Sequence, residues 1–138
     1  MGPRRQGREL AVQALYQVEV TGDASAKSLA LFLSHFEGGA EAKDFARRLI
    51  AGVLEHREEI DRRIEQTAEN WKLDRISKVD LVILRLASYE LLCCNDIPVS
   101  VSIDEAIEIA KRFGAADSST FINGILDKIA AASGPKAS

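Results

Sequence analysis

Apolar side chains recur at helical spacing along almost the whole chain. Leu10, Ala11, Ala14, Leu15 and Val18 mark one face of a helix over residues 8–20, closed by Thr21-Gly22-Asp23. Asp23 or Ser25 is placed to cap a second helix that carries Leu29, Leu31, Phe32, Leu33 and Phe36, and Gly38-Gly39 breaks the pattern. A long charged helix is predicted from about residue 41 to 69, with Phe45, Leu49, Val53, Ile60 and Ile64 as its stripe. Gly52 within it points to a close helix crossing or a bend, since glycine costs about 1 kcal/mol there relative to alanine. Residues 71–75 read as a linker or short turn.

The second half is sharper. Ser77-Lys78-Val79-Asp80 resembles a capping box, and VDLVILRLASYELLCC behind it is apolar on nearly every face, as expected of a helix at the centre of a helical domain. Asn95-Asp96-Ile97-Pro98 stops it. Ser102-Ile103-Asp104-Glu105 reads as a second capping box, opening a helix with Ile103, Ala106, Ile107, Ala110 and Phe113 inward and Gly114 as its C-cap. Asp117 is predicted to cap a last helix striped by Phe121, Ile122, Ile125, Leu126 and Ile129. Alternation with period two is confined to residues 99–103, where the capping box competes with it. The chain is therefore predicted to be all-α, with six to seven helices. It reads as a single domain over residues 1–132, with an arginine arm over about 1–8 and a disordered tail at 133–138.

Composition adds little to this picture except at two places. With 138 residues, 46% hydrophobic and 28% charged, the chain has enough apolar material for one core. No apolar run approaches the roughly 18–20 residues of a membrane span. Cys93 and Cys94 are adjacent, a poor arrangement for a disulfide and an ordinary one for two thiols in an apolar helix, which points to a reducing, cytoplasmic setting. Catalytic patterns do not emerge. A phosphate-binding glycine loop has no strand to follow, His35 and His56 have no spaced metal-ligand partners, and the Glu58, Glu59 and Asp61 carboxylates interleave with arginines as on a solvated helix face. The chain reads as a non-enzyme without metal or cofactor.

Charge matters at the N-terminus. Net charge is -3, yet Arg4, Arg5 and Arg8 precede the first acid, Glu9. Continued as a helix, these three fall within about 100° of one another, with Tyr16 close to the line of Arg5 about three turns on. Guanidinium groups beside an accessible aromatic suit single-stranded RNA, where phosphates pair with arginine and bases stack on rings. All three arginines precede the packed helix face, so the arm is expected to serve binding rather than folding. A solvated helix start with a half-buried tyrosine fits the same residues, and composition leaves both readings open. The Phe113-Gly114-Ala115-Ala116-Asp117-Ser118-Ser119 joint offers a helix start that suits phosphate, or equally an ordinary capped turn.

Three stretches carry a more specific signal: RELAVQALYQ, ILRLASYELL, and IPVSVSIDEAIEIAKRFGAADSSTFINGILDKI. Together they resemble the NusB family of bacterial transcription antitermination factors, over nearly the whole chain and least between about residues 21 and 41 and in the tail. The resemblance implies two small helical bundles packed across each other and sharing the first helix region. It implies binding of single-stranded boxA RNA in nascent transcripts together with NusE, a small-subunit ribosomal protein. That assembly helps RNA polymerase, with NusA and NusG, to pass terminators in ribosomal RNA operons. Arg4, Arg5 and Arg8 stand where the family has its RNA-contacting arm, here interrupted by Gln6-Gly7. Tyr16, Asp117, Ser118, Phe121 and Asn123 match positions on the RNA-facing surface, and Asp80 matches an acidic position in the NusE contact. Phe121 also fits the stripe of the last helix. A homodimer through an exposed Ile109 or the Phe32–Phe36 surface is compatible with the pattern. Two other readings stand beside this one: the similar helical domain at the front of ribosomal RNA cytosine methyltransferases, and a helical adaptor that binds protein only.

Overall fold

The structure is a computed structural model that describes residues 2–68 and 72–136. Among these residues seven α-helices follow one another: α1 (Pro3–Thr21), α2 (Ala26–Ser34), α3 (Ala40–Glu55), α4 (Arg57–Thr67), α5 (Lys78–Cys93), α6 (Val99–Phe113) and α7 (Ser118–Ser133). A 3₁₀ turn at Leu73–Arg75 leads into α5, in the region expected to be a linker. Glu69 and Trp71 lie outside the described residues.

The apolar run of α5 explains the layout. Leu81 to Leu86 present apolar atoms on every side, and α5 accordingly packs against α1, α3, α4, α6 and α7. Helices α1, α2 and α3 form one bundle, and α6 and α7 build the other on α5. One continuous apolar core runs through both, with Ile83, Leu84, Ile122 and Leu126 at 0% exposure. Each such side chain stabilises the fold by roughly 1.5–3 kcal/mol relative to leaving it in water.

The long charged helix is two helices. His56, with φ -103° and ψ 14°, separates α3 from α4, and its ring stacks 5.8 Å from that of Tyr89 on α5. Gly52 sits one turn earlier because a Cβ there would fall 2.0 Å from Tyr89 Cζ. Crossing and bend thus occur together: the chain approaches α5 at Gly52 and turns at His56. A second glycine works the same way. At Gly7 a Cβ would lie 2.8 Å from the Ala42 carbonyl oxygen, so glycine lets α1 pack close to α3.

Helix ends depart from the sequence pattern at three points. The Ser25 and Ser77 hydroxyls accept from the Ser28 and Asp80 N–H groups, as capping predicts. Ser102, however, lies inside α6, which begins three residues earlier after Pro98. Proline, with its fixed φ and missing N–H, is well placed at such a start. Nor does Asp117 cap α7 through its side chain. There the Ser118 hydroxyl accepts the Ala115 N–H at 2.9 Å, buried under a Gly114 whose Cβ would strike it. At the far end, Ser133 still belongs to α7. The Lys136 ammonium donates to the Glu90, Cys94 and Ile97 carbonyls, satisfying the C-terminus of α5. So the segment expected to be a disordered tail is docked as far as Lys136.

Two arginines lie inside. Arg8 is 2% exposed and donates twice to Glu90, itself 1% exposed, at 2.9 and 2.8 Å. Ser102 donates to the same carboxylate at 2.8 Å. This set joins α1, α5 and α6. Arg85, 6% exposed, reaches Asp61 on α4 and Glu19 on α1. Burial opposes its charge, but the two carboxylates outweigh that and hold its pKa above the ordinary guanidinium value. The arm is therefore neither free nor wholly exposed. Proline at the first helical position starts α1 at residue 3, and Arg8 belongs to the core. Ile109, a candidate for an exposed contact, is also buried.

Removing one partner of a buried pair strands the other, which destabilises by about 3–5 kcal/mol. Arg8→Ala should therefore lower unfolding free energy by that order in urea titrations, while Arg4→Ala stays within about 0.5 kcal/mol. Pairing Arg8→Met with Glu90→Leu should restore most of the stability, since an apolar pair of similar volume often replaces a buried ion pair at little cost. At the α6–α7 joint, Ser118→Ala should lower stability by about 1 kcal/mol in the same assay, and Asp117→Ala should leave it nearly unchanged.

Candidate nucleic-acid interface

The first two turns of α1 project arginines to three different partners. Arg4 pairs with Asp96 in the α5–α6 loop at 3.5 Å. Arg5 makes a two-pronged contact with Glu105 on α6, its shortest bond 2.8 Å, while Arg8 goes inward to Glu90. Hydrogen bonding to Glu105 raises the Arg5 pKa, so its charge is permanent. Arg4 and Arg5 each keep about half of their side chain open to solvent. The cationic end of this acidic chain is thus a set of half-exposed guanidinium groups, each resting on a carboxylate.

About 17 Å further along α1, at 1.5 Å per residue, Tyr16 is 40% exposed. It borders a cleft of about 490 Å³ with Val12, Val20, Phe32, Phe36 and Phe113 around it, and Val79 at the start of α5. Phe32 and Phe36 face each other with ring centroids 4.9 Å apart. The guanidinium of Arg112 lies 5.1 Å over the Phe113 ring and pairs with Glu9. The cleft is apolar inside, aromatic at the edge and cationic at one end.

Asp80 follows Val79 in the first turn of α5, and its Oδ1 is buried without a hydrogen-bond partner. An aspartate is one carbon shorter than the glutamate of a full capping box, and only half of the box forms here. At the other joint Asp117 is exposed, Phe121 and Asn123 are half-buried, and Ser118 is buried with its hydroxyl on the Ala115 N–H. Phe113, four residues before Asp117, connects this joint to the cleft. The structure brings Arg4 and Arg5 together on one end of α1, Tyr16 onto the cleft, and Asp117, Phe121 and Asn123 onto the start of α7. It withdraws Arg8 and Ser118 into the interior.

Sequence reading misses the carboxylates opposite the arm. Asp96 and Glu105 stand 92 and 100 residues from Arg4 and Arg5, beyond any local pattern. Arg48 is missed as well. It donates to both Asp96 oxygens, at 2.6 and 3.0 Å, and that hydrogen bonding holds the Asp96 carboxyl down to about 2. A depressed carboxyl contributes stability above its ordinary range that disappears only as pH falls toward that value. Burial pushes the Cys93 and Cys94 thiols up, so neither has thiolate character at neutral pH. No helix among the described residues is long and apolar enough to cross a membrane.

The chain is similar to known proteins over nearly its whole length. A family model described as the NusB family matches residues 5–131. The transcription antitermination protein NusB of Geobacter sulfurreducens is 54% identical over 131 residues, spanning 94% of this chain and 95% of its own. T. maritima NusB superposes with a TM-score of 0.87 at 46% identity, covering 99% of this chain and 96% of that one. A structure of antitermination factors NusB and NusE in complex with double-stranded RNA has the same fold, with a TM-score of 0.85 at 24% identity and coverage of 96% and 98%. The family model runs from the first turn of α1 to the last turn of α7, and the chain belongs to the NusB family.

Proposed function

We propose that the protein is a transcription antitermination factor that binds boxA-type single-stranded RNA together with NusE and keeps RNA polymerase moving through ribosomal RNA operons. The observation that carries this reading is 54% identity, across almost the full length of both chains, to a transcription antitermination protein. The relatives matched at this length are antitermination proteins, which favours this reading over the methyltransferase front domain. Arg4 and Arg5 take RNA phosphates, and Tyr16, Asp117, Phe121 and Asn123 lie along the RNA-facing side. Arg8 acts from beneath by holding α1 in place, and Ser118 by holding the start of α7. Asp80 and the neighbouring apolar cleft receive NusE, and NusA, NusG and RNA polymerase are reached through the assembled complex in the cytoplasm. Self-association through Phe32 and Phe36 would occupy the same cleft.

Replacing Arg4 and Arg5 together with alanine should weaken binding of labelled boxA RNA. It should also flatten the salt dependence by about 0.7 for each single-strand phosphate that the variant no longer neutralises. The melting temperature should stay close to the parent's. Unchanged affinity and slope would remove the arm from the RNA surface.

An acidic protein with few free cations is expected to hold RNA weakly alone, with NusE completing the phosphate contacts. Each ligand should then tighten the other by the same factor, a coupling of about 1–3 kcal/mol. Calorimetry around the cycle of protein, RNA and NusE measures it from both directions. Asp80→Asn should weaken the NusE leg, mainly through its on-rate. Independence of the two legs would favour a protein-only adaptor.

A further inference from the structure

Arg48 of α3 meets the arm from the other side. It converges with Arg4 of α1 on the single Asp96 carboxylate. Both guanidinium groups flank the ring of Phe45, at 4.8 and 5.8 Å from its centroid. The ring lends each cation a favourable face and limits where it can point. Two cations thus share one anion, and all three side chains are substantially open, at 51%, 38% and 49% of their surface. Positive charge is reinforced beneath by Lys136, whose ammonium holds the carbonyls of Cys94 and Ile97 on either side of Asp96 in the chain.

We propose that Arg4 and Arg48 form a clamp for one phosphate of the RNA backbone, which takes the place of the Asp96 carboxylate. The proposal rests on the RNA-binding function above and adds α3 to that surface. A phosphodiester offers two unesterified oxygens and one negative charge, the same acceptor pattern that a carboxylate presents to a guanidinium fork. Asp96 then has two effects. In the free protein it holds the Arg48 fork through both of its oxygens and draws Arg4 to the same carboxylate through one contact of 3.5 Å. It also competes with RNA, so part of the energy of phosphate binding goes into displacing it. Because Asp96 stays ionised down to about pH 2, this competition operates across the whole neutral range.

The test is fluorescence anisotropy of a labelled single-stranded boxA RNA, and of an unrelated RNA of equal length, titrated with full-length protein across a range of KCl concentrations. Arg48→Gln should weaken both RNAs equally, by about five- to tenfold, as removal of a charge-assisted hydrogen bond to a phosphate requires. Its salt slope should fall by about 0.7. Arg48→Lys should keep the slope while giving up part of the affinity, because the charge remains and the fork does not. Asp96→Asn should tighten both RNAs by about two- to fivefold, the scale of an exposed ion pair removed. An Arg48→Gln protein that melts earlier but binds RNA with parental affinity and slope would overturn the clamp and make the triad purely structural. Arg5→Ala separates the two claims. If it weakens RNA while Arg48→Gln does not, the clamp alone falls. If the parent binds neither RNA even with NusE saturating, the RNA-binding function falls with it.

Discussion

The fold depends on where one guanidinium group goes. Arg8 is sealed against Glu90, and Ser102 completes the carboxylate's hydrogen bonding, so α1, α5 and α6 are joined at a point shielded from solvent. Such a pair contributes little net stability compared with apolar side chains, because both charges give up their hydration. Its effect is on alignment. A one-residue slip of α1 would rotate Arg8 by about 100° and leave Glu90 buried and unpaired. The neighbouring positions are fixed in consequence. Gly7 must face α3, Arg4 and Arg5 must face the α5–α6 loop and α6, and Tyr16 must come out at the cleft.

From that alignment follows the character of the surface. An acidic protein can present arginines to an anion only by holding them where their own carboxylates do not silence them. Glu105 and Asp96 neutralise part of the charge and at the same time give flexible side chains a definite direction. The outcome is a surface of ordered, partly neutralised cations. Arg112 extends it, and the apolar cleft adjoins it.

Helix content and centre were legible because they rest on periodicity. The all-apolar run of α5 could fit only at the middle of a helical domain, and that is its place. Gly52 announced a crossing or a bend, and only Tyr89, far along the chain, shows why the crossing needs a glycine. What could not be read locally is anything fixed by distant partners. Arg8, Arg4 and Arg5 are alike in sequence and differ only by carboxylates that arrive 82 to 100 residues later. Ser102 and Asp117 matched capping patterns, yet α6 starts earlier, after Pro98, and at the α7 joint the Ser118 hydroxyl accepts the Ala115 N–H while the Asp117 side chain caps nothing. Neither helix start carries a side-chain cap, so the short patterns marked joints without fixing how their backbone groups are satisfied. Family likeness carried the functional reading where local physics left it open.

The 82-residue separation of Arg8 from Glu90 also has a meaning in time. A chain made from its N-terminus at about 5–20 residues per second exposes α1 for roughly 4–16 s before α5 exists to receive it. During that interval α1 carries its three arginines without any of the acids that later direct them. The bundle of α5, α6 and α7, closed by contacts close in sequence, can form as soon as it emerges. Vectorial synthesis therefore makes α1 appear before the other six helices and have its charges placed only after most of them exist.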